Sequence, residues 1–217
     1  MTEQPTVVLE RLQLDATSWV DSWRGWRSDG GATYAQLAKE LPWRQSKLWR
    51  YDHYVTEPRL GASLGRTAHP ALQDAYLLLR QTYGVDFDGP ALALYRDGRD
   101  ALGAHRDREL RYTANTLVAI LTFGARRPWQ LTALRSPEGA TRSESWGRLS
   151  PGPSIDLAPV DGDLFVLGGR AQADWLHGVP PAPGLHAGRI SAQWRWTSRS
   201  GPPERGPGYR APRHYSR

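Results

Sequence analysis

The sequence predicts a mainly β fold with flanking helices and a double-stranded β-helix (jelly roll) at its core. From residue 88 onward, short apolar runs alternate with turn residues, which is the pattern of an all-β sandwich or barrel. Before that point apolar residues recur at helical spacing, so helices are expected to back the sheets. The 217 residues suit one compact domain. We place it at residues 1–199, with an N-terminal part at 1–87 and the jelly-roll core at 88–199.

The N-terminal part is expected to begin with a short strand within residues 1–15, followed by a helix over Thr17–Trp26. Apolar residues of that segment fall at roughly helical spacing. Asp15 or Thr17 is placed to cap its first turn. Residues 41–66 are rich in aromatic residues, Arg, Pro and Gly, and are expected to form strands joined by loops.

The clearest helix of the sequence is His69–Tyr83. Pro70 suits the first turn of a helix, and Gly84 suits the position just after its end. Five residues share one apolar face at helical spacing. They are Leu72, Ala75, Tyr76, Leu79 and Tyr83.

The core strands are expected at the apolar runs that follow. These runs are ALALY, TLVAILTFG, PWQLTAL, SIDLAPVDGDLFVLGG, a Trp-Leu-His segment and RISAQWRW. The tail at 200–217 is rich in Pro, Gly and Arg and lacks apolar periodicity, which predicts a basic, disordered segment.

The composition excludes several kinds of site. The chain has no cysteine, so thiol catalysis, cysteine-ligated zinc and iron–sulfur clusters are ruled out, and nothing indicates a secreted disulfide framework. The N-terminus lacks a signal-peptide pattern, and no apolar run reaches membrane-spanning length. A soluble, cytoplasmic protein with no membrane partner is expected, and we expect a monomer.

The charge balance permits nucleic acid as a partner. The formal net charge is +6 and the sequence pI is about 9.9. Nearly all the basic residues are arginine, whose planar guanidinium can donate two hydrogen bonds to one phosphate. A general preference for Arg over Lys in the source proteome explains the same bias equally well.

A possible metal site begins with the pair His105 and Asp107. Residues two apart on a strand point to the same side, so an imidazole and a carboxylate could reach one ion. Such a pair alone is weak evidence, because salt bridges and turns produce it often. A second histidine would complete the two-histidine, one-carboxylate ligand set of non-haem iron(II) oxygenases, which leaves one face of the metal open.

His177 is the preferred third ligand, and His186 is its rival. His177 follows an apolar pair and precedes a Pro/Gly-rich loop, which places it near a strand end. His186 lies within that loop. The remaining histidines have no comparable acid nearby, and ordinary surface or core roles are expected for them.

The segment from Arg189 to Arg195 reads as a strand with one polar face. The two arginines are six residues apart, so both point to the same side, together with Ser191 and Gln193. Arginines on an inward face need anions, and a dicarboxylate would supply them. The alternative is an ion pair between Arg189 and a buried Asp or Glu.

Taken in order, these residues resemble the AlkB family of Fe(II)/2-oxoglutarate-dependent dioxygenases. That family carries H-x-D, a distal His, and R-x5-R about twelve residues further on. The stretch from Tyr95 to Asp107 is similar to its Y-x-D-G-x-D-x-I-G-x-H-x-D pattern over the full length. The resemblance covers roughly residues 88–199 and is weak before them. Residues 1–87 would include the substrate lid.

The resemblance implies roles for individual residues. The triad would bind iron, and Tyr95 and Arg189 would hold the distal carboxylate of 2-oxoglutarate. Arg195 would sit near the end of the co-substrate that chelates iron. Glu109 occupies the place of an acid that contacts the damaged base.

Phosphate groups of the substrate would be held by positive charge. The stretch from Thr122 to Arg127 resembles the family's S-F-G-x-x-R strand, and Arg59 follows Pro58 as in the P-R-x-x-x-W-Y-G lid motif. The candidate phosphate contacts are Arg59, Arg66, Arg126, Arg127 and the tail.

Three departures from the family pattern concern the co-substrate and the substrate. Ala93 and Ser191 stand where the family commonly has Asn residues that help to hold 2-oxoglutarate, and Ser191 or Gln193 could substitute. The lid motif lacks its aromatic pair, so the base-stacking aromatic is not assigned. The candidates are Trp49, Tyr51 and Tyr54.

The resemblance implies oxidative demethylation of N-alkylated bases in nucleic acid, as in DNA or RNA repair, with Fe(II) and 2-oxoglutarate. The base would be flipped from its stack or lie in a single strand. Two alternatives stay open. One is a 2-oxoglutarate-dependent hydroxylase or demethylase acting on a small molecule, protein or lipid. The other is a basic nucleic-acid-binding domain without turnover.

Overall fold

The structure, a computed structural model, describes residues 7–50, 52–64, 69–107, 110–135, 150–204 and 213–215. Within these ranges the strands are, in chain order, β1 (Glu10–Gln13), β2 (Ser18–Trp23), β3 (Arg44–Arg50), β4 (His53–Ser63), β5 (Asp88–Tyr95), β6 (Leu102–His105), β7 (Thr116–Gly124), β8 (Gln130–Arg135), β9 (Ser150–Asp156), β10 (Leu164–Gly169), β11 (Trp175–Val179), β12 (Arg189–Thr197) and β13 (Arg213–Tyr215). The helices are α1 (Gly30–Glu40), α2 (Pro70–Tyr83) and α3 (Ala171–Asp174).

The described strands form two antiparallel sheets. The larger has the order β1-β2-β10-β7-β12-β5-β4-β3-β13, and the smaller has the order β6-β11-β8-β9. Ile120 and Phe165 of the larger sheet share one apolar core with Leu131 and Trp175 of the smaller sheet. The sheets therefore face each other across this core, and the predicted mainly β, jelly-roll fold is confirmed.

Strand β7 explains why the run TLVAILTFG shows no polar alternation. Its odd-numbered apolar residues, such as Leu121 and Phe123, lie in the core on the helix side of the larger sheet. Val118 and Ile120 lie in the core between the sheets. A strand covered on both faces needs apolar residues at successive positions.

Helix α2 begins and ends where its sequence signals predict. The ring of His69 accepts a hydrogen bond from the Ala71 amide, Pro70 occupies the first turn, and Gly84 ends the helix in the left-handed conformation at φ 67°. The predicted face packs into the helix-side core, with Leu72, Ala75 and Leu79 buried and Tyr76 and Tyr83 packed beside them.

The prediction of a helix over Thr17–Trp26 is wrong. Ser18–Trp23 forms β2, which pairs with both β1 and β10. Half of the residues of β2 are aromatic or β-branched, and they favour a pleated, buried strand. The helix of this region is α1, which the spacing of apolar residues does not reveal, although its Ala, Gln, Leu and Lys residues are good helix formers.

The tail differs from the expected disorder where it is described. The Glu204 carboxylate accepts hydrogen bonds from Arg106 and Thr113. Arg213–Tyr215 pairs with β3, and such edge pairing uses backbone groups and needs no apolar periodicity. Residues 205–212 and 216–217 lie outside the described residues. The helices of the described part of the chain are all too short or too polar to cross a membrane.

Candidate active site

Three predicted metal ligands meet where β6 and β11 pair. His105 ends β6 and lies directly opposite His177 of β11, with ring centroids 4.5 Å apart. Oδ1 of Asp107 is 3.6 Å from Nε2 of His105 and 3.8 Å from Nε2 of His177. All three ligand atoms lie within 4.8 Å of one another, so the cluster could hold one metal ion. His186 lies exposed in its loop, outside the cluster.

Asp107 is positioned by neighbouring side chains rather than by the strand itself. Strand β6 ends at His105, so the predicted strand alternation does not extend to Asp107. Arg195 donates from Nε to Oδ2 at 2.8 Å and from Nη2 to Oδ1 at 3.2 Å. Nε2 of Gln172 donates to the Asp107 carbonyl at 3.0 Å. Sequence spacing gives no sign of Gln172, because it reaches Asp107 from α3.

The site favours the protonation states that bind a metal. Burial opposes the charge of Asp107, but Arg195, His105 and His177 outweigh it and hold the pKa of the carboxyl well below its usual range. Burial, with a further contribution from His105, lowers the pKa of His177 to about 3. Near neutral pH the cluster thus offers a carboxylate and a neutral imidazole. Nδ1 of His105 lies 2.9 Å from the Gly103 carbonyl, which orients Nε2 toward the cluster.

Arg189 and Tyr95 lie opposite each other on β12 and β5, beside the metal cluster. Arg189 is 2% exposed, and its Cζ is 5.2 Å from the Tyr95 ring centroid. Among the described residues, Nε and Nη1 of Arg189 and Oγ of Ser191 are buried without a hydrogen-bond partner. A narrow cavity joins these atoms to His177 and Gln193.

These unpartnered donors fit a dicarboxylate. Burial lowers the pKa of Arg189 to about 10, with a further contribution from Arg127, so the group remains charged at neutral pH. The predicted alternative, an ion pair with a buried acid, is absent among the described residues. A buried, unpaired guanidinium is unfavourable until an anion binds. The residues present therefore fit both the metal and 2-oxoglutarate.

The polar face predicted for β12 is confirmed. Ile190, Ala192 and Trp194 are fully buried in the helix-side core. Arg189 and Ser191 line the narrow cavity on the opposite face. The even spacing along this strand was therefore a sound guide to side-chain direction.

The predicted substrate residues have different outcomes. Arg59 lies near the site: Nη1 is 3.4 Å from Oη of Tyr95, and Nη2 is 3.6 Å from a Glu57 carboxylate oxygen. Arg127, by contrast, is 0% exposed and donates to the carbonyls of Asp97 and Asp100. Its prediction as a phosphate contact is corrected, because it fixes the loop after β5 from inside the fold.

Some of the other candidate contacts lie outside the described residues. Glu109 and Arg66 lie outside the described residues, as does Tyr51. The side chain of Trp49 is likewise not described, whereas Tyr54 is 45% exposed. Arg126 is exposed at the end of β7.

A larger cavity of about 500 Å³ lies over β3, β4 and β5 and was not predicted. Gly61 pairs with Ala93, and Ala93 pairs with Ser191, so a row of small residues crosses three strands. The two positions that depart from the family's Asn residues are thus direct neighbours. Gln193 lines both this cavity and the narrow one beside Arg189.

Comparison with known proteins relates the chain to 2OG-Fe(II) oxygenases. The family model described as the 2OG-Fe(II) oxygenase superfamily matches residues 34–191. The chain is 26% identical over 181 residues to alpha-ketoglutarate-dependent dioxygenase alkB homolog 3 of Bos taurus, covering 77% of this chain and 61% of that protein. It is 27% identical over 159 residues to the Homo sapiens protein of that name, covering 67% and 54%.

The chain is also similar to a plant protein and, in structure, to a bacterial hydroxylase. The chain is 25% identical over 186 residues to DNA oxidative demethylase ALKBH2 of Arabidopsis thaliana, covering 73% of this chain and 59% of that protein. It spans only 54% to 61% of the length of these relatives. A Pseudomonas putida prolyl-4-hydroxylase is similar in structure, with TM-score 0.48 and 16% identity, covering 80% of this chain and 91% of that one.

The ligand cluster and Arg189 both lie in the region that the family model covers. That model matches well over half of the chain. The chain belongs to the 2OG-Fe(II) oxygenase superfamily, and its curated relatives include AlkB homologues.

Proposed function

We propose that this protein is an Fe(II)/2-oxoglutarate-dependent dioxygenase that oxidatively demethylates N-alkylated bases in nucleic acid. The observation that carries the first part is the juxtaposition of the three-ligand cluster with a buried guanidinium that has two unpartnered nitrogens. A metal centre and an anion site within one fold interior are what iron and a dicarboxylate co-substrate require.

The residues of the site divide into metal ligands and co-substrate contacts. His105, Asp107 and His177 hold Fe(II), and Arg195 keeps the Asp107 carboxylate ionised and oriented. Arg189 binds the distal carboxylate of 2-oxoglutarate. The matching positions for the other co-substrate contacts are Tyr95, Ser191 and Arg195. Apolar walls around the narrow cavity, such as Leu102 and Ile120, limit the access of water.

The bound metal and co-substrate supply an oxidation in which 2-oxoglutarate and dioxygen become succinate and carbon dioxide, while one oxygen atom enters an N-methyl carbon. The resulting N-hydroxymethyl group loses formaldehyde and leaves N–H on the base. The protein would bring the N-methyl carbon of the substrate next to the three-ligand cluster.

Nucleic acid as substrate is supported by the relatives and by charge. The Arabidopsis thaliana relative is named as a DNA oxidative demethylase. The formal net charge of this chain is +6, which favours a polyanion. A cavity of about 500 Å³ beside the cluster is large enough for one substrate group.

One observation favours a second candidate, a hydroxylase or demethylase of a small molecule, protein or lipid. Among the described residues that line the larger cavity, none is aromatic, so base stacking has no visible platform there. A nucleic-acid-binding domain without turnover is disfavoured by the complete ligand cluster.

The test incubates the protein anaerobically with Fe(II) and 2-oxoglutarate, then admits air with a single-stranded oligonucleotide that carries methylated bases. Mass spectrometry follows succinate and methyl groups together. Succinate with equimolar demethylation is the expected result. Succinate without demethylation would redirect the substrate assignment to the second candidate, and no succinate with any substrate would refute the dioxygenase.

A further inference from the structure

The larger cavity opens beside the candidate metal centre. Arg195, which donates to Asp107, is one of its lining residues, and Gln193 is another. Oε1 of Gln193 accepts a hydrogen bond from Nη2 of Arg195 at 2.8 Å. A molecule in this cavity would therefore lie against the same side chains that border the metal ligands.

The floor of the cavity is open because its cross-strand pairs are small. Gly61 faces Ala93, and Ser63 faces Ala91. A Cβ atom at Gly61 would find its nearest neighbour, the Leu92 carbonyl oxygen, only at 3.8 Å. Packing therefore does not require glycine there, and the space above Gly61 is available to a ligand.

The rim of the cavity carries positive charge that the protein leaves unmatched. Arg44 pairs directly with Gly61 across β3 and β4, so it stands beside the open floor. Its side chain is exposed, and it has no ion-pair partner among the described residues. Arg59 is compensated by Glu57, and Arg195 is compensated by Asp107. Arg44 is therefore the arginine of the described lining whose positive charge no acidic side chain of the described residues balances.

We propose that this cavity receives one nucleotide of the substrate, with its phosphate held by Arg44 and its base above the floor at Gly61. The proposal rests on the proposed function and adds the group that is recognised. The chemistry required is a phosphate next to a base, which either a single strand or a free nucleotide provides.

The test measures binding rather than turnover. Fluorescence anisotropy follows two labelled six-nucleotide probes, single-stranded hexathymidylate and an abasic strand with the same phosphates, at several salt concentrations. The variants are Arg44→Ala and Gly61→Leu. Arg80→Ala is the matched control, because Arg80 is an exposed arginine on α2, whose buried residues pack into the helix-side core of the larger sheet. Thermal unfolding checks that each variant is folded.

Arg44→Ala should weaken the binding of both probes and reduce the salt slope by about 0.7, the loss of one single-strand phosphate contact. Gly61→Leu should weaken hexathymidylate and leave the abasic probe unchanged, because the new side chain occupies the space of the base. Arg80→Ala should bind both probes as the original protein does. Wild-type affinity and slope in Arg44→Ala would overturn the phosphate site, and unchanged hexathymidylate binding in folded Gly61→Leu would overturn the base site.

Competition identifies the source of the phosphate. Thymidine 5′-monophosphate that displaces the labelled strand at equal nucleotide concentration supports a free nucleotide, and failure to displace it supports a strand. Because no turnover is measured, the expected binding results together with absent demethylation would refute the proposed function while the phosphate site stands.

Discussion

Arg195 and Asp107 form a two-hydrogen-bond ion pair at the edge of the candidate metal centre. Nε of Arg195 reaches Oδ2 at 2.8 Å, and Nη2 reaches Oδ1 at 3.2 Å. The same Oδ1 atom faces Nε2 of both cluster histidines. The arginine thus holds both carboxylate oxygens, with the shorter hydrogen bond to Oδ2, and orients Oδ1 toward the two histidines where a metal would bind.

Arg195→Met tests this relationship by leaving a buried carboxylate without its cation. The free energy of unfolding of the metal-free protein should fall by about 3 kcal/mol, the lower range for breaking a buried pair. Mn(II) should stabilise the variant more than the original protein, because the metal replaces the lost positive charge. Urea unfolding with and without Mn(II) measures both effects. Equal stability of variant and original protein would show that the pair contributes nothing.

Arg189→Met should have the opposite effect on the ligand-free protein. Two guanidinium nitrogens of Arg189 are buried without partners among the described residues, so removing them removes an unmet desolvation cost. We expect equal or higher melting temperature without ligand. At 100 times its Kd, 2-oxoglutarate should stabilise the original protein by about 2.7 kcal/mol. The variant should lose that stabilisation, and a full retained shift would exclude Arg189 as the carboxylate site.

The parts of the site that sequence predicts are those set by local spacing. His105, Asp107 and Arg189 belong to short sequence patterns that indicate metal or anion binding without knowledge of the fold. The side chains of β12 alternate between its two faces as the sequence predicts. Gln172 and the inward-pointing Arg127 depend on contacts between distant segments, which no local pattern encodes. The large cavity likewise arises from pairing between strands that are far apart in sequence.

The incorrect prediction of a helix over Thr17–Trp26 has a similar cause, because contacts with distant segments decide the structure there. Trp19 and Val20 lie at positions that satisfy both a helical and a buried-strand pattern over so short a segment. The choice is made by tertiary pairing, since β2 is held between β1 and β10. Helix α2 was predictable because Pro70 and Gly84 mark its ends independently of packing.

Substitution of the two rival histidines separates a ligand from a loop residue. His177→Ala should lower the affinity for Mn(II) by more than about 100-fold, beyond the usual effect of losing an outer-sphere partner. His186→Ala is the matched control and should bind as the original protein does, because His186 is exposed outside the cluster. Isothermal titration calorimetry measures both. A similar loss in the two variants would contradict the assignment of His177.

Tyr83 gives a pH dependence that is independent of the active site. Burial, followed by its hydrogen bond to Asp21 at 2.8 Å, raises the pKa of Tyr83 above its usual range. The unfolded tyrosine ionises near 10 while the folded one stays protonated, so stability should fall as pH rises above about 10. Tyr83→Phe should show a smaller decline between pH 10 and 11.5 in urea unfolding. Tyr54→Phe, at an exposed tyrosine, is the control for the loss of one tyrosine hydroxyl.

Gln172 connects the two segments that carry the metal ligands. It is buried on α3, directly before β11, which carries His177, and it donates to the carbonyl of Asp107 at 3.0 Å. Arg106 adds a second tie, from Nη1 to the Ala173 carbonyl at 3.2 Å. Helix α3 therefore fixes the distance between the two sides of the cluster.

Gln172→Met keeps the volume and removes the donor. We expect a loss of about 1–2 kcal/mol in stability, because a buried carbonyl loses this partner. The affinity for Mn(II) should fall by about 10- to 100-fold, as is typical when the support of a ligand is removed. Gln36→Met, at an exposed glutamine of α1, is the control and should change neither quantity. Wild-type Mn(II) affinity in Gln172→Met, with the stability loss present, would mean that Asp107 is positioned by Arg195 alone and that α3 serves packing rather than metal binding.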